Sequence, residues 1–520
     1  MTTFLKRHWA VLTAAIAITL AFPSLNLFPL AWVALVPLFA RATAQTPRET
    51  ARDFFYAGTL FHWAIMHWVL VQIYWAGAWV LLGLVLAGIY YGLWWAVFGF
   101  LWRWSTLRLP FVPAALAAAL LWIAMEHLQV QRFVQLGSGG LLAYSQGPNF
   151  PAAQWAAIGG APLLGGFVVG VNALLGQAAA ARARRLVPLF AAAAVFAAVH
   201  IFGYLMLRPA DYAAPYTVGL IQSDFPVEMK HDPEHTIEMI ANAAAKSRVL
   251  AAHEPFDLLV WPEALVMRHY EDARVLEVVK GLVADIDRPL YSGAQRNEAD
   301  RTYNSSFLIE PDGTVRDYYD KIHLMAFGEY VPFGRFLRFV TNIVGDMDAG
   351  TEPRVMEAAG RRFGPLICFE VVFPAMARDL QQRGADFLVV VTNLGWFGKS
   401  IAIPLEFEMS RFRAIETRLP LVHSANTGIS GVFDPYGRFT LINGLVTADG
   451  RFFRIDPSIS PSDTVMQRLA GALPVPAAAR ALFPAGPVVI PWACVIVGLV
   501  VLVAALVFRR ARTSGAPESP

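Results

Sequence analysis

Six stretches of this chain contain no aspartate, glutamate, lysine or arginine: residues 9–40, 54–102, 110–125, 133–181, 186–207 and 481–508. In lipid only a helix or a closed barrel satisfies its own backbone polar groups, and a helix needs about 20 largely apolar residues to cross. The first two stretches are long enough for two spans each, split near residues 23–26 and 76–78, and the other four hold one apiece. The sequence therefore predicts a polytopic α-helical bundle of eight spans. Composition agrees, with 56% hydrophobic and 16% charged residues, against about 45–50% and about 25% in soluble domains.

Charge divides the chain more sharply than any linker does. Of the 39 acidic residues, only Glu49, Asp53 and Glu126 precede Arg208, and only Glu518 follows Arg480. The pattern reads as membrane, soluble domain, membrane: a seven-span membrane domain over 1–207, a soluble domain over 208–480, an eighth transmembrane helix over 481–508 and a cytoplasmic polar tail over 509–520. Short loops rich in Lys and Arg face the cytoplasm. Starting inside with Lys6 and Arg7, the alternate returns bring Arg41, Arg48 and Arg52, then Arg103 and Arg108, then Arg182, Arg184 and Arg185, and finally Arg509, Arg510 and Arg512 to that same side. Residues 208–480 then lie outside. A cleaved signal peptide is not expected, because no small-x-small site follows the first apolar run. A formal charge of +3 does not advertise a nucleic-acid partner. Two cysteines, Cys368 and Cys494, make no disulfide framework and no zinc spacing.

The outer segment alternates short β-rich runs, at 217–222, 257–261, 290–294, 305–309, 363–369, 387–392, 421–424 and 430–434, with helical patterns at 236–252 and 273–285. Such alternation favours sheets covered by helices. Three of these places carry reactive groups. The run DLLVWPE leaves Glu263 just past a strand end, FGPLICFE ends an apolar strand at Cys368, and YYDKIH puts Lys321 in a polar turn. Singly each has an ordinary reading: a small buried thiol, or a solvated surface charge. Together they supply a thiol nucleophile, a cation and a base.

The order Glu263, Lys321, Cys368, with WPE before the first and CFE around the last, resembles the nitrilase superfamily. The eight-span frame resembles one branch of it, the bacterial apolipoprotein N-acyltransferases. FGEYVP after the lysine, VTNLGWFG, NTG at 426–428 and LAYSQ at 142–146 also look like segments of that family. The resemblance implies an αββα sandwich on a membrane bundle, with Glu263, Lys321 and Cys368 catalytic and Glu329 and Glu370 in support. It implies no metal or organic cofactor. The acyl donor would be a membrane phospholipid and the acceptor the α-amine of S-diacylglyceryl cysteine on apolipoproteins. The protein would act as a monomer in the bacterial inner membrane, with its catalytic domain on the periplasmic side.

Departures from the family pattern fall where substrates would be gripped. His231 follows Lys230 where tryptophan is usual, QLGSGG at 135–140 replaces a Phe-Pro-Trp stretch, and Phe369 stands for a tyrosine. Trp261 and Trp396 are further candidate substrate contacts. The segment 333–344, FGRFLRFVTNIV, alternates bulky apolar residues with Arg335 and Arg338 and can dip into the lipid interface while the guanidiniums meet phosphate. A membrane-tethered amidohydrolase would use the same catalytic three. A non-enzymatic transporter or scaffold would call for charged groups at mid-span, where the apolar stretches offer only the uncharged His62, His67 and His200.

Overall fold

The structure is a computed structural model of the full chain. It describes residues 2–23, 25–108, 113–130, 139–181, 185–207, 212–225, 233–263, 265–269, 272–326, 328–331, 347–441, 444–446, 452–454, 468–469, 471–476 and 490–497. Several expectations fall outside these residues: His231, Arg335, Arg338, Arg182 and Arg184, residues 135–138, the tail 509–520 and most of the last apolar stretch.

The apolar N-terminal part is a helical bundle. Four helices are long and apolar enough to cross a membrane: Pro47–Gln72, Trp79–Arg108, Ala156–Ala180 and Leu186–Met206. Among the described residues, three shorter apolar helices, His8–Ala21, Phe28–Ala42 and Ala114–Gln129, also lie ahead of the β-rich domain. The two long stretches divide at the expected places, around Pro23 and around Gly77, where φ is +70°. In lipid, helices associate through close backbone approach and side-chain packing. Accordingly Gly99 lets the ring of Phe54 lie where a Cβ would come within 2.9 Å of it. Edge-to-face contacts join Phe39 to Trp102, Phe54 to Phe98 and Phe98 to Trp122.

Polar groups inside the bundle are tied locally. Asn172 accepts from Leu35 N–H at 2.8 Å and donates to the carbonyls of Ala31 and Val168. His62 bonds the Gly58 carbonyl and stacks on Tyr91 at 4.4 Å. The segment Leu142–Gln146, which reads LAYSQ, is a buried 3-10 turn whose first N–H donates to Glu126 at 2.8 Å.

The β-rich domain has two large sheets. The first runs in the order Gly471–Pro476, Tyr212–Leu220, Leu258–Val260, Leu290–Glu298, Arg301–Ile309, Val315–Asp320, with Val266–His269 branching onto Leu290–Glu298. The second runs Phe439–Leu441, Gly431–Phe433, Leu421–Ala425, Phe387–Thr392, Arg361–Ile367, Met356–Ala358. They face each other. Tyr291 of the first meets Phe363 of the second edge-on at 5.0 Å, and the Tyr216 hydroxyl donates to the Ala358 carbonyl at 3.0 Å. Helices Pro233–His253 and Ala273–Ile286 pack together beside the first sheet, and Pro374–Gln382 and Ala402–Thr417 pack against the second.

The central strands of both sheets are parallel and buried on both faces, so they are near-continuous apolar runs such as Phe387–Thr392. Chain ends of such strands gather on one edge, where groups from different strands meet. Glu263, Cys368 and Asn393 each follow one of these central strands.

Candidate active site

Cys368 follows the strand Arg361–Ile367 and opens the 3-10 turn Cys368–Val372. Its φ is +50°, a conformation that non-glycine residues adopt only when their surroundings hold it. The first N–H groups of such a turn have no acceptor within it. The sulfur is buried, with the residue 7% exposed. Burial, helped by the nearby Glu263 and Glu406 carboxylates, holds the thiol well above its ordinary pKa, and Lys321 opposes them. At rest it is therefore a thiol, buried with the Glu263 carboxylate nearby.

Glu263 lies three residues beyond the strand Leu258–Val260. Its Oε1 accepts from Asn304 Nδ2 at 2.9 Å, and its Oε2 accepts from the Asn393 N–H at 2.8 Å. Burial pushes this carboxyl up, Lys321 draws it down, and Glu329 pushes it up again, leaving a net rise. A carboxyl so placed is a better base than a solvated glutamate.

Lys321 is not in a solvated polar turn. It is the residue after the strand Val315–Asp320 and is 1% exposed. Its ammonium lies 2.9 Å from Glu329 Oε1 and 3.6 Å from Glu263 Oε1. Burial alone would lower its pKa, but Glu329 and Glu263 outweigh burial and raise it, so the amine stays charged. Polar composition misled here, because the aspartate and tyrosines before the lysine belong to a strand whose outer face is wet.

Two supporting carboxylates act differently. Glu329 binds the ammonium directly, shares the Asn304 amide at 2.6 Å, and accepts from Met325 N–H through its other oxygen. Glu370 makes no ion pair with Lys321. Instead Oε1 accepts from the Tyr319 hydroxyl and from the N–H groups of Ile322 and His323, while Oε2 accepts from Ile367 N–H. Glu370 thus ties the Tyr319 side chain before Lys321 and the backbone just after it to the residue before Cys368. Burial, against these four donors, raises its pKa to about 7.

The tryptophans and Phe369 separate. Trp261 is wholly buried and donates to Ser247 at 3.0 Å, so it belongs to the core and presents no surface to a substrate. Phe369 is half-buried beside Phe373, and Trp396 is half-buried in the turn Leu394–Phe397 next to Asn393. Sequence reading missed Asn304, which does not stand out beside Thr302, Ser305 and Ser306 in the strand Arg301–Ile309. It also missed Glu406, buried in the helix Ala402–Thr417 with Oε1 3.6 Å from His423 Nε2. Among the described residues no group of three or more histidine, cysteine, aspartate or glutamate side chains is arranged to hold a metal ion.

Residues 217–452 match the carbon-nitrogen hydrolase family, and residues 14–174 match the apolipoprotein N-acyltransferase N-terminal domain. The apolipoprotein N-acyltransferase of Geobacter metallireducens is 33% identical over 443 residues, 82% of this chain and 84% of its own. This chain belongs to the apolipoprotein N-acyltransferase family. The Pseudomonas putida member is 30% identical over 453 residues, covering 82% of this chain and 86% of its own. An amidase from Nesterenkonia sp. of known structure aligns with 52% of this chain and 93% of its own at 19% identity and a TM-score of 0.34. The family's two parts thus fall on the two parts of this molecule, helical bundle and nitrilase-type domain.

Proposed function

We propose that this enzyme moves a fatty acyl chain from a membrane phospholipid to the α-amine of the S-diacylglyceryl cysteine of apolipoproteins, through a thioester on Cys368. The observation that carries the reading is a buried thiol near Glu263, with the Lys321 ammonium 3.6 Å from that carboxylate, in a chain of this family. In the first half-reaction Glu263 takes the Sγ proton and the thiolate attacks the ester carbonyl carbon of the phospholipid. Lys321 and the first N–H groups of the Cys368–Val372 turn stabilise the oxyanion. The oxyanion collapses, the carbon–oxygen bond to glycerol breaks, and Glu263 returns its proton to the departing alkoxide. A lysophospholipid leaves and the acyl group stays on sulfur.

In the second half-reaction the acceptor amine attacks the thioester carbonyl. An α-amine has a pKa near 7.7–8.0 and is largely protonated at neutral pH, so Glu263 serves again as its base. The carbon–sulfur bond breaks, an amide forms, and the thiol regains the proton. Water at the same step would make the enzyme an amidohydrolase; the family membership favours the amine.

The four long and three shorter apolar helices described before the nitrilase-type domain, with the apolar stretch at 481–508, support eight spans. With the arginine-rich loops in the cytoplasm, the catalytic domain sits on the periplasmic face of the inner membrane. Half-exposed Phe369 and Trp396 are substrate contacts in this reading, and His231, Arg335 and Arg338 complete the grip on lipid. The enzyme acts as a monomer. Mass spectrometry of a diacylated lipoprotein N-terminus after incubation with purified enzyme and phospholipid tests the function: the account expects one added acyl chain in amide linkage. An unchanged N-terminus accompanied by released fatty acid would favour the hydrolase.

A further inference from the structure

The 3-10 turn His67–Gln72 continues the bundle helix Pro47–Met66 into the hairpin that leads to Trp79–Arg108. One side of this hairpin carries exposed apolar groups, Ile73, Tyr74 and Trp79. Its other side rests on the catalytic domain at the turn Leu394–Phe397. Trp68 meets Phe397 edge-on at 4.8 Å, and Gln72 Nε2 donates to the Trp396 carbonyl at 2.6 Å. Leu394, Phe397 and Ala402 form an apolar cluster apart from the main core, with Trp68 and Met325 packed onto it.

The same turn begins at the residue that holds the base. Asn393 gives its N–H to Glu263 Oε2 at 2.8 Å. The Asn393 side-chain oxygen accepts from Gly395 N–H within the turn and from Asn426 Nδ2 at 3.0 Å. Asn426 is braced in turn by Phe225, whose carbonyl accepts from Nδ2 at 3.0 Å and whose N–H donates to Oδ1 at 3.3 Å. Gly398, at φ +54°, then bends the chain back beneath Val71, to which a Cβ there would be 3.7 Å. The turn is pinned at its start by the paired asparagines and at its end by the hairpin. A short turn pinned at both ends has little freedom to move the N–H at its first residue.

We propose that Gln72 is a positioning residue of the catalytic centre: through the Trp396 carbonyl, the membrane hairpin holds the Leu394–Phe397 turn and with it the Asn393 N–H that orients Glu263. The proposal rests on Glu263 being the base of the acylation. It makes the bundle part of the active site's scaffold as well as its anchor. Other groups that face Glu263, namely Lys321, Glu329, Asn304 and Cys368, come from the catalytic domain and do not touch Gln72.

The test is single-turnover acylation of Cys368 by full-length enzyme in mixed micelles of dodecyl maltoside and dipalmitoyl phosphatidylethanolamine, over a range of pH. Gln72→Ala and the near-isosteric Gln72→Met should lower the acylation rate about three- to tenfold, the worth of one net hydrogen bond. The lipid concentration at half-saturation should stay within about twofold. The acid limb of the rate should move to higher pH, because a carboxylate that loses an N–H donor is easier to protonate. Gln72→Glu conserves shape but opposes a carboxylate to a carbonyl, and should fall at least as far. A packing role alone would leave the pH limb in place and tolerate Gln72→Glu. Wild-type rates and limb in both Gln72→Met and Gln72→Glu, or a change confined to lipid half-saturation, would overturn the proposal. Gln72→Met keeps it testable if the alanine variant does not fold. Glu263→Gln measured alongside separates the two readings: if it acylates normally the base assignment fails, and if it is inert while Gln72→Met behaves as wild type only the present inference fails.

Discussion

Two of the networks of buried charge among the described residues differ in what is left over. At the seam between bundle and catalytic domain, the helix Ala402–Thr417 carries Arg411 bonded to both oxygens of Glu408, and Arg413 bonded to Glu416 at 2.8 Å. Arg413 also donates to the carbonyls of Val371 and Val372 and to the Tyr144 hydroxyl, while Glu416 accepts from the Ala161 N–H of a bundle helix. Each guanidinium there has one carboxylate, and carbonyl or hydroxyl oxygens take its remaining donors. In the candidate active site one ammonium faces two carboxylates, and a thiol completes the set. A closed pair specifies how two parts fit; acceptors in excess beside a thiol suit the proton transfers proposed above. Arg413 joins the two, because the carbonyls it holds belong to the turn opened by Cys368.

The largest effect that sharpens this contrast is expected at the seam. Arg413→Met strands Glu416 in a buried site, and breaking such a pair costs about 3–5 kcal/mol. Chemical unfolding in detergent should show the loss, and adding Glu416→Leu should recover much of it. An Arg413→Met variant as stable as wild type would show that the seam is not a structural device.

In the centre, Lys321→Met should leave a folded protein whose acylation rate falls about 10²–10³-fold, equivalent to about 3–4 kcal/mol of transition-state stabilisation. The alkylation rate of Cys368 by a small thiol reagent reports whether the nucleophile is still accessible. A fall of less than about tenfold would assign oxyanion stabilisation to the backbone alone.

A smaller effect separates the two networks by pH. Glu370, with a pKa near 7, is an acid whose folded value is raised above the ordinary 4.5. Between about pH 4.5 and pH 7 the folded state holds the proton that the unfolded state has lost, so stability from this group is full at the acid end and declines as pH rises. Thermal melts of Glu370→Gln should therefore be flatter than wild type across that window. Equal slopes would mean that Glu370 is ionised throughout.

Much of this was legible in the sequence, for reasons that also mark where reading stops. The strand Phe387–Thr392 is predicted residue for residue, because a strand buried on both faces is simply apolar. Glu263 and Cys368 stand out as chemistry at the ends of such strands. The strand Val315–Asp320, half wet and rich in charge, does not, and so Lys321 reads as a turn residue when it is buried. Gly471–Pro476 pairs antiparallel with Tyr212–Leu220 despite two prolines, which an edge strand tolerates. Ala402–Thr417 escapes because its buried face carries Arg413 and Glu416, whose partners come from elsewhere in the chain. The Asn393 N–H has no sequence signature, since every residue but proline has one.

The central claim is that Cys368 carries the acyl group between two substrates. Wild-type enzyme given phospholipid without acceptor should accumulate a hydroxylamine-sensitive adduct on the peptide containing Cys368, and Cys368→Ala should form none. Adding a diacylglyceryl-cysteine peptide should discharge the adduct into an amide faster than water does. An adduct on Cys494, or discharge at the same rate with and without the peptide, would contradict the account.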